Sequence, residues 1–175
     1  IVLPEPSIRD GQLKPGSGAL FNSSVVFGRD GVPLGQPQRQ MHPVFDQREV
    51  IEAAGKHQIN VVDTPAGRLG VLIGSDSWYP DNYRQLDEQN AQLVAVPAQV
   101  LGQGAWNQPW RGYKGSSTPG SVSLKPGEVT EGQAWHRLTL TAQPPSSRAI
   151  AGISVFLRGQ FWDKASSGQS FLSSN

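Results

Sequence analysis

A chain of 175 residues with net charge +1 and 37% hydrophobic residues has the size and apolar content of one globular domain, taken here as residues 1–175. Its basic residues are scattered, which argues against the concentrated basic face of a nucleic-acid footprint, and no apolar run approaches the roughly 20 residues that cross a bilayer. The sequence has no cysteine, hence no disulfide framework and no thiolate metal site, and His42, His57 and His136 lack metal-ligand spacing.

In chain order, Ile1 to Leu3 form an apolar strand running into Pro4-Glu5. Phe21 to Phe27 form another, joined through the polar turn Gly28-Arg29-Asp30-Gly31 into a hairpin. Asn22-Ser23-Ser24 fits a glycosylation triplet, but on a core hairpin a chance match is the better explanation. Phe45-Asp46-Gln47-Arg48-Glu49 reads as a solvated helix start, with Asp46 and Glu49 as alternative candidates for a supporting carboxylate.

Val61-Val62 end a strand, Pro65-Ala66-Gly67 turn the chain, and Leu69 to Ile73 form a strand apolar enough to be buried on both faces. The small polar step Gly74-Ser75-Asp76 follows, then Trp78-Tyr79 closed by Pro80. Many α/β folds present reactive atoms at such a strand-to-loop step. The plain alternative is a strand-terminating turn.

Asn82, with Gln85 three residues on, predicts a helix N-cap. Tyr83, Leu86 and Asn90 carry that helix toward the strand Leu93 to Pro97, which implies a right-handed crossover between parallel strands. Residues 98–127 read as a long loop whose Trp106, Trp110 and Tyr113 either line a substrate mouth or anchor the loop. A helix is expected after Thr130, with Glu131 in its first turn and Pro144-Pro145 as its breaker.

The segment Ile73 to Pro80 resembles the signature of the carbon-nitrogen hydrolases, or nitrilase superfamily: an apolar strand ending in Ile-Cys, one residue, Asp, two residues, an aromatic residue and Pro. Ile73, Asp76, Tyr79 and Pro80 match, and Gly74 stands in the place of the cysteine. Pro4-Glu5 is similar to the strand end that carries the family's general base, and Gln40-Met41-His42 to its Lys, one residue, His. Leu93 to Pro97 resembles its next core strand, Ser147-Arg148-Ala149 its Arg-Ala helix end, and Gly168-Gln169-Ser170 its late Gly-x-Ser turn. Only Pro6 to Leu20 separate Glu5 from Phe21, where family members carry a helix and a further strand.

The resemblance implies an α/β fold, a nitrilase-like αββα sandwich that is shortened in this chain. It implies hydrolysis or acyl transfer at a non-peptide carbon-nitrogen bond through a Glu-Lys-Cys centre, whose places here are Glu5, Gln40 and Gly74. Ser75, Asp76, Trp78 and Tyr79 are the expected substrate-binding residues, and Ser75 is the one alternative nucleophile. Gly74 has no side chain with which to attack, and Gln40 offers a hydrogen bond in place of a charge, so the chemistry is expected to be impaired. Two alternatives are a non-catalytic pseudoenzyme used for binding or assembly, and an acyltransferase relative. The resemblance implies no cofactor and no metal, a small amide, nitrile or acyl ligand, a homo-oligomer and a cytoplasmic setting.

Overall fold

The structure, a computed structural model, describes residues 1–55, 59–114, 116–120, 124–140, 149–161 and 164–174. His57, the prolines Pro144-Pro145 and the dipeptide Ser147-Arg148 of the expected helix end lie outside them.

Three strands, β1 (Val2–Pro4), β4 (Leu20–Phe27) and β5 (Pro33–Arg39), form an antiparallel sheet in the order β1-β4-β5, with the small hairpin β2 (Ser7–Arg9) and β3 (Gln12–Lys14) between the first two in sequence. A 3₁₀ helix, Phe45–Glu49, then leads to the hairpin β6 (Val61–Thr64) and β7 (Gly67–Val71). Next come α1 (Pro80–Glu88), β8 (Leu93–Ala98), α2 (Glu131–Leu138) and β9 (Ala151–Phe156), then the hairpin β10 (Arg158–Phe161) and β11 (Lys164–Ser167), and last β12 (Phe171–Ser174). The main sheet runs β12-β9-β8-β7-β6, parallel where β7, β8 and β9 meet and antiparallel at its edges. The expected crossover from β7 through α1 to β8 is therefore present.

Strand register assigns the two faces of this sheet. Gly70, Val94 and Gly152 share one row, and this face carries the helices: an added Cβ at Gly70 would lie 2.2 Å from Leu86 Cδ2, and one at Gly152 2.6 Å from Leu140 Cδ2. Trp135 of α2 meets Phe156 on the same side, with ring centroids 4.8 Å apart. Leu69, Leu93 and Ala151 lie on the opposite face. There Val62, cross-strand partner of Leu69, meets β5: an added Cβ at Gly35 would lie 2.8 Å from Val62 Cγ1. The layers are thus helices, five-stranded sheet and three-stranded sheet. Over β9 and β12 the second face is open, with Ile153 and Val155 exposed and Leu172, paired opposite Ile153, 76% exposed.

Several local expectations change. Asn82 does not cap α1; Tyr79 is the N-cap and Pro80, whose fixed φ suits a first helical position, begins the helix. Asn82 instead donates through Nδ2 to the Asp76 carbonyl at 2.8 Å. The helix ends at Glu88 because Asn90 turns left-handed at φ 56°. Thr130 does cap α2, its hydroxyl accepting from the Gln133 N–H at 3.2 Å. That helix stops at Leu138, before the prolines, where Leu140 adopts φ 58° and donates its N–H to the Tyr83 hydroxyl. In the long loop, Trp106, Trp110 and Tyr113 are all buried in the core cluster, which favours anchoring over lining a mouth. Among the described residues, no helix is long and apolar enough to cross a membrane.

Candidate active site

Residues 74–78 lie where the central strand leaves the sheet. Ile73 is still extended, Gly74 turns left-handed at φ 54°, and a 3₁₀ helix runs Gly74–Trp78. The positive φ is cheap for glycine and strained for a residue with a Cβ. Turn residues Ser75, Asp76, Ser77 and Trp78 are buried. The other wall is the end of β5 and the residues that follow it, Gln40-Met41-His42, where Gln40 donates its backbone N–H to the Asn22 carbonyl at 2.8 Å.

Asp76 joins the two walls. Fully buried, its carboxylate accepts the Met41 N–H at 3.0 and 3.2 Å and the His42 N–H at 2.7 Å. Burial pushes its carboxyl up to about 7, only partly opposed by these backbone bonds. Asp76 is thus a structural clasp between segments 35 residues apart.

Gln40, 1% exposed, has every side-chain polar atom bonded. Its Oε1 accepts from Asn22 Nδ2 at 2.9 Å, while its Nε2 donates to Gln47 Oε1 at 3.3 Å and to Ser75 Oγ at 3.2 Å. The Ser75 hydroxyl in turn donates to the His42 carbonyl. Asn22, on which the glycosylation triplet falls, therefore uses its amide inside the hairpin. Asp46 and Glu49, the alternative supporting carboxylates, are exposed; the residue of that segment that reaches the site is Gln47.

Positions 74 and 40 face each other. A Cβ at Gly74 would sit 3.6 Å from Gln40 Nε2, and among the described residues outside its own turn no other heavy atom lies within 4 Å. Glu5 stands elsewhere. It is exposed, holds φ 35°, donates its N–H to the Ala19 carbonyl, and its carboxylate lies beside Gly16 and Gly18. In the sheet register, Gln40 is level with Asn22 and Val2. β1 ends at Pro4, and Glu5 is not among the atoms within 4 Å of where a side chain at position 74 would begin.

The remaining expected binding residues face inward. Tyr79 donates its hydroxyl to the Ser117 carbonyl at 2.8 Å, and burial pushes that hydroxyl up to about 12. Its ring stacks on His42, centroids 3.5 Å apart and planes 9° from parallel. Burial drives the His42 imidazole down to about 4, against the pull of Asp81, so it is neutral at pH 7. Trp78 packs among Trp110, Tyr113 and Trp135. Among the described residues, no group of three or more His, Asp or Glu side chains is arranged to hold a metal ion.

Residues 8–142 match the family model for carbon-nitrogen hydrolases. The chain belongs to the carbon-nitrogen hydrolase family. The matched span of this carbon-nitrogen hydrolase chain contains Gln40 and the whole of Gly74 to Tyr79, and leaves Glu5 outside. A deaminated glutathione amidase from Yersinia enterocolitica is 38% identical over 55 residues, 30% of this chain and 19% of that protein. The carbon-nitrogen hydrolase from Helicobacter pylori G27 superposes with a TM-score of 0.61 at 21% identity, over 92% of this chain and 51% of that one. A mutant amidase of the nitrilase superfamily from Nesterenkonia AN1 gives 0.63 at 15% identity, over 90% and 50%. These two likenesses establish a nitrilase-like fold, and the chain spans about half the length of either structure.

What sequence reasoning missed are the partners that saturate Gln40. Asn22 and Gln47 are polar residues at the strand and turn positions flanking Gln40-Met41-His42, and only the tertiary pairing makes them neighbours.

Proposed function

We propose that this domain, one unit over residues 1–175, binds a small amide, nitrile or acyl ligand without hydrolysing it. The observation that carries this reading is the facing pair Gly74 and Gln40. Thiol-dependent hydrolysis requires a nucleophile, a base to move its proton and a donor for the developing oxyanion. Position 74 supplies no nucleophile, and both Nε2 hydrogens of Gln40 are directed at Gln47 and Ser75. The Ser75 proton goes to the His42 carbonyl, with no base beside it in the bonds described above. Glu5 packs beside Gly16 and Gly18 and is not within 4 Å of where a side chain at position 74 would begin. The test is ammonia release by the purified protein from small aliphatic amides and nitriles. No release above the protein-free blank is expected, and sustained release overturns the reading.

Assembly with a second copy is a part of the proposal supported by the open face over β9 and β12, where Ile153, Val155 and Leu172 are exposed together. Light scattering over a hundredfold range of concentration should show a dimer, and a monomer throughout removes this part.

A further inference from the structure

Gln47 turns into the site from a surface segment in which Asp46, Arg48 and Glu49 are exposed and Gln47 itself is only half-buried. Its Oε1 meets two donors, the Val44 N–H at 3.1 Å and Gln40 Nε2 at 3.3 Å. A backbone N–H can only donate, so the atom turned inward is the oxygen of the carboxamide. The Val44 bond is the usual reach of a helix's third residue back to its N-cap. The Gln40 bond is not part of that cap, because it ties the surface helix to the residue that follows β5. Gln40 Nε2 directs its second hydrogen to Ser75 Oγ at 3.2 Å, and the same nitrogen lies 3.6 Å from where a side chain at position 74 would begin. Polar atoms of Gln40, Gln47 and Ser75 thus converge at position 74, and one of them is the carbonyl oxygen of a primary amide.

We infer that Gln47 is an autoinhibitory residue: its carboxamide oxygen takes the place on Gln40 Nε2 that the carbonyl of a small amide ligand would take. The inference rests on the ligand-binding half of the proposed function and adds how that binding is restrained. Of the two acceptors on Gln40 Nε2, Ser75 Oγ is the fixed one, since Ser75 is buried and its own proton goes to the His42 carbonyl. Gln47 stands at the surface, so its oxygen is the exchangeable one. An incoming amide makes the same kind of N–H···O bond that it replaces, so the exchange gains little in hydrogen bonding and the bound state is weak. A protonated amine, which can only donate, has nothing to offer this nitrogen.

The backbone that carries Gln47 is held independently of its amide. Phe45 opens the helix at φ 53°, a conformation that a bulky residue keeps only when its surroundings impose it. Its N–H donates to the Lys114 carbonyl at 2.9 Å, and the Arg111 guanidinium lies 3.9 Å above its ring. The Ser116 hydroxyl donates to the Pro43 carbonyl at 2.9 Å. Releasing Gln40 therefore asks only that the Gln47 side chain rotate toward solvent.

The test is a titration of the ¹⁵N-labelled protein with propionamide, read at the Gln40 side-chain N–H resonances, for the wild type, Gln47→Ala and Gln47→Glu. Gln47→Ala removes the competing oxygen and should bind propionamide about threefold tighter or more. Gln47→Glu keeps an acceptor for Gln40 and should gain nothing. Propylamine, protonated at pH 7, should bind none of the three. Gln47→Ser, too short to reach Gln40, repeats the alanine test if that variant does not fold. A smaller gain in the truncated variants, an equal gain in Gln47→Glu, or equal binding of propylamine overturns the inference. If propionamide binds the wild type and truncation adds nothing, ligand binding stands and the autoinhibition falls; if it binds neither, both fall. Turnover is read separately, by ammonia release.

Discussion

A side chain at position 74 would begin 3.6 Å from Gln40 Nε2, so the two residues that stand where the family resemblance implies a thiol and an amine are neighbours across 34 residues of sequence. The two positions meet, while the Gln40 amide is bonded to Asn22, Gln47 and Ser75.

That bonding makes Gln40 a stability residue. Gln40→Leu fills similar volume but leaves Asn22 Nδ2, Gln47 Oε1 and Ser75 Oγ each short of a partner. Allowing for relaxation of Gln47 toward solvent, chemical denaturation should show a loss of about 2 kcal/mol. A neutral result would mean that the amide network adds nothing to stability.

Asp76 should matter more, because its carboxylate holds two backbone N–H groups that have no other partner described here. Asp76→Ala is expected to cost about 3 kcal/mol, with raised hydrogen exchange at Met41 and His42. Unchanged exchange at those amides would remove the clasp.

The two shifted groups in the site oppose each other in pH. Asp76 has its folded pKa raised to about 7. Between the unfolded value and 7 the folded state binds more protons, so its contribution falls as pH rises through that window. His42 has its folded pKa lowered to about 4. Between 4 and its unfolded value the unfolded state binds more protons, so its contribution rises with pH. The wild type should therefore vary little in stability from pH 4 to 6.5. His42→Phe, which keeps a ring for Tyr79 to stack on, should become less stable as pH rises across that range. Denaturant midpoints at four pH values decide it, and parallel profiles for the two proteins would contradict the assignment.

Gly70 marks how closely α1 sits on the sheet, since an added methyl would lie 2.2 Å from Leu86 Cδ2. Gly70→Ala should lower stability by about 1–3 kcal/mol. Combining it with Leu86→Ala, which makes room for the methyl, should destabilise less than the sum of the two single changes.

The parts of the fold that could be read from sequence rest on local pattern. The strand expected at Leu69 to Ile73 and found two residues earlier, at Gly67–Val71, the turn at Pro65-Ala66-Gly67, the hairpin after Phe27 and the cap at Thr130 each follow from residues within a few positions. Asn82 misled because its amide bonds backward to Asp76 while Pro80 already begins the helix. The facing of positions 74 and 40 was legible only through the family motif. Gln40's bonds to Asn22 and Gln47 depend on three segments meeting, and no local pattern encodes that.

The most direct test of the central claim is the double variant Gly74→Cys, Gln40→Lys, followed by mass spectrometry with iodoacetamide and by ammonia release from a small amide. The account predicts a folded protein alkylated once, at the thiol introduced in position 74, that releases no ammonia over repeated turnovers because Glu5 packs beside Gly16 and Gly18 rather than against position 74. Sustained ammonia release by this variant would contradict it, showing that a base reaches position 74 and that the site lacks only its thiol and its amine.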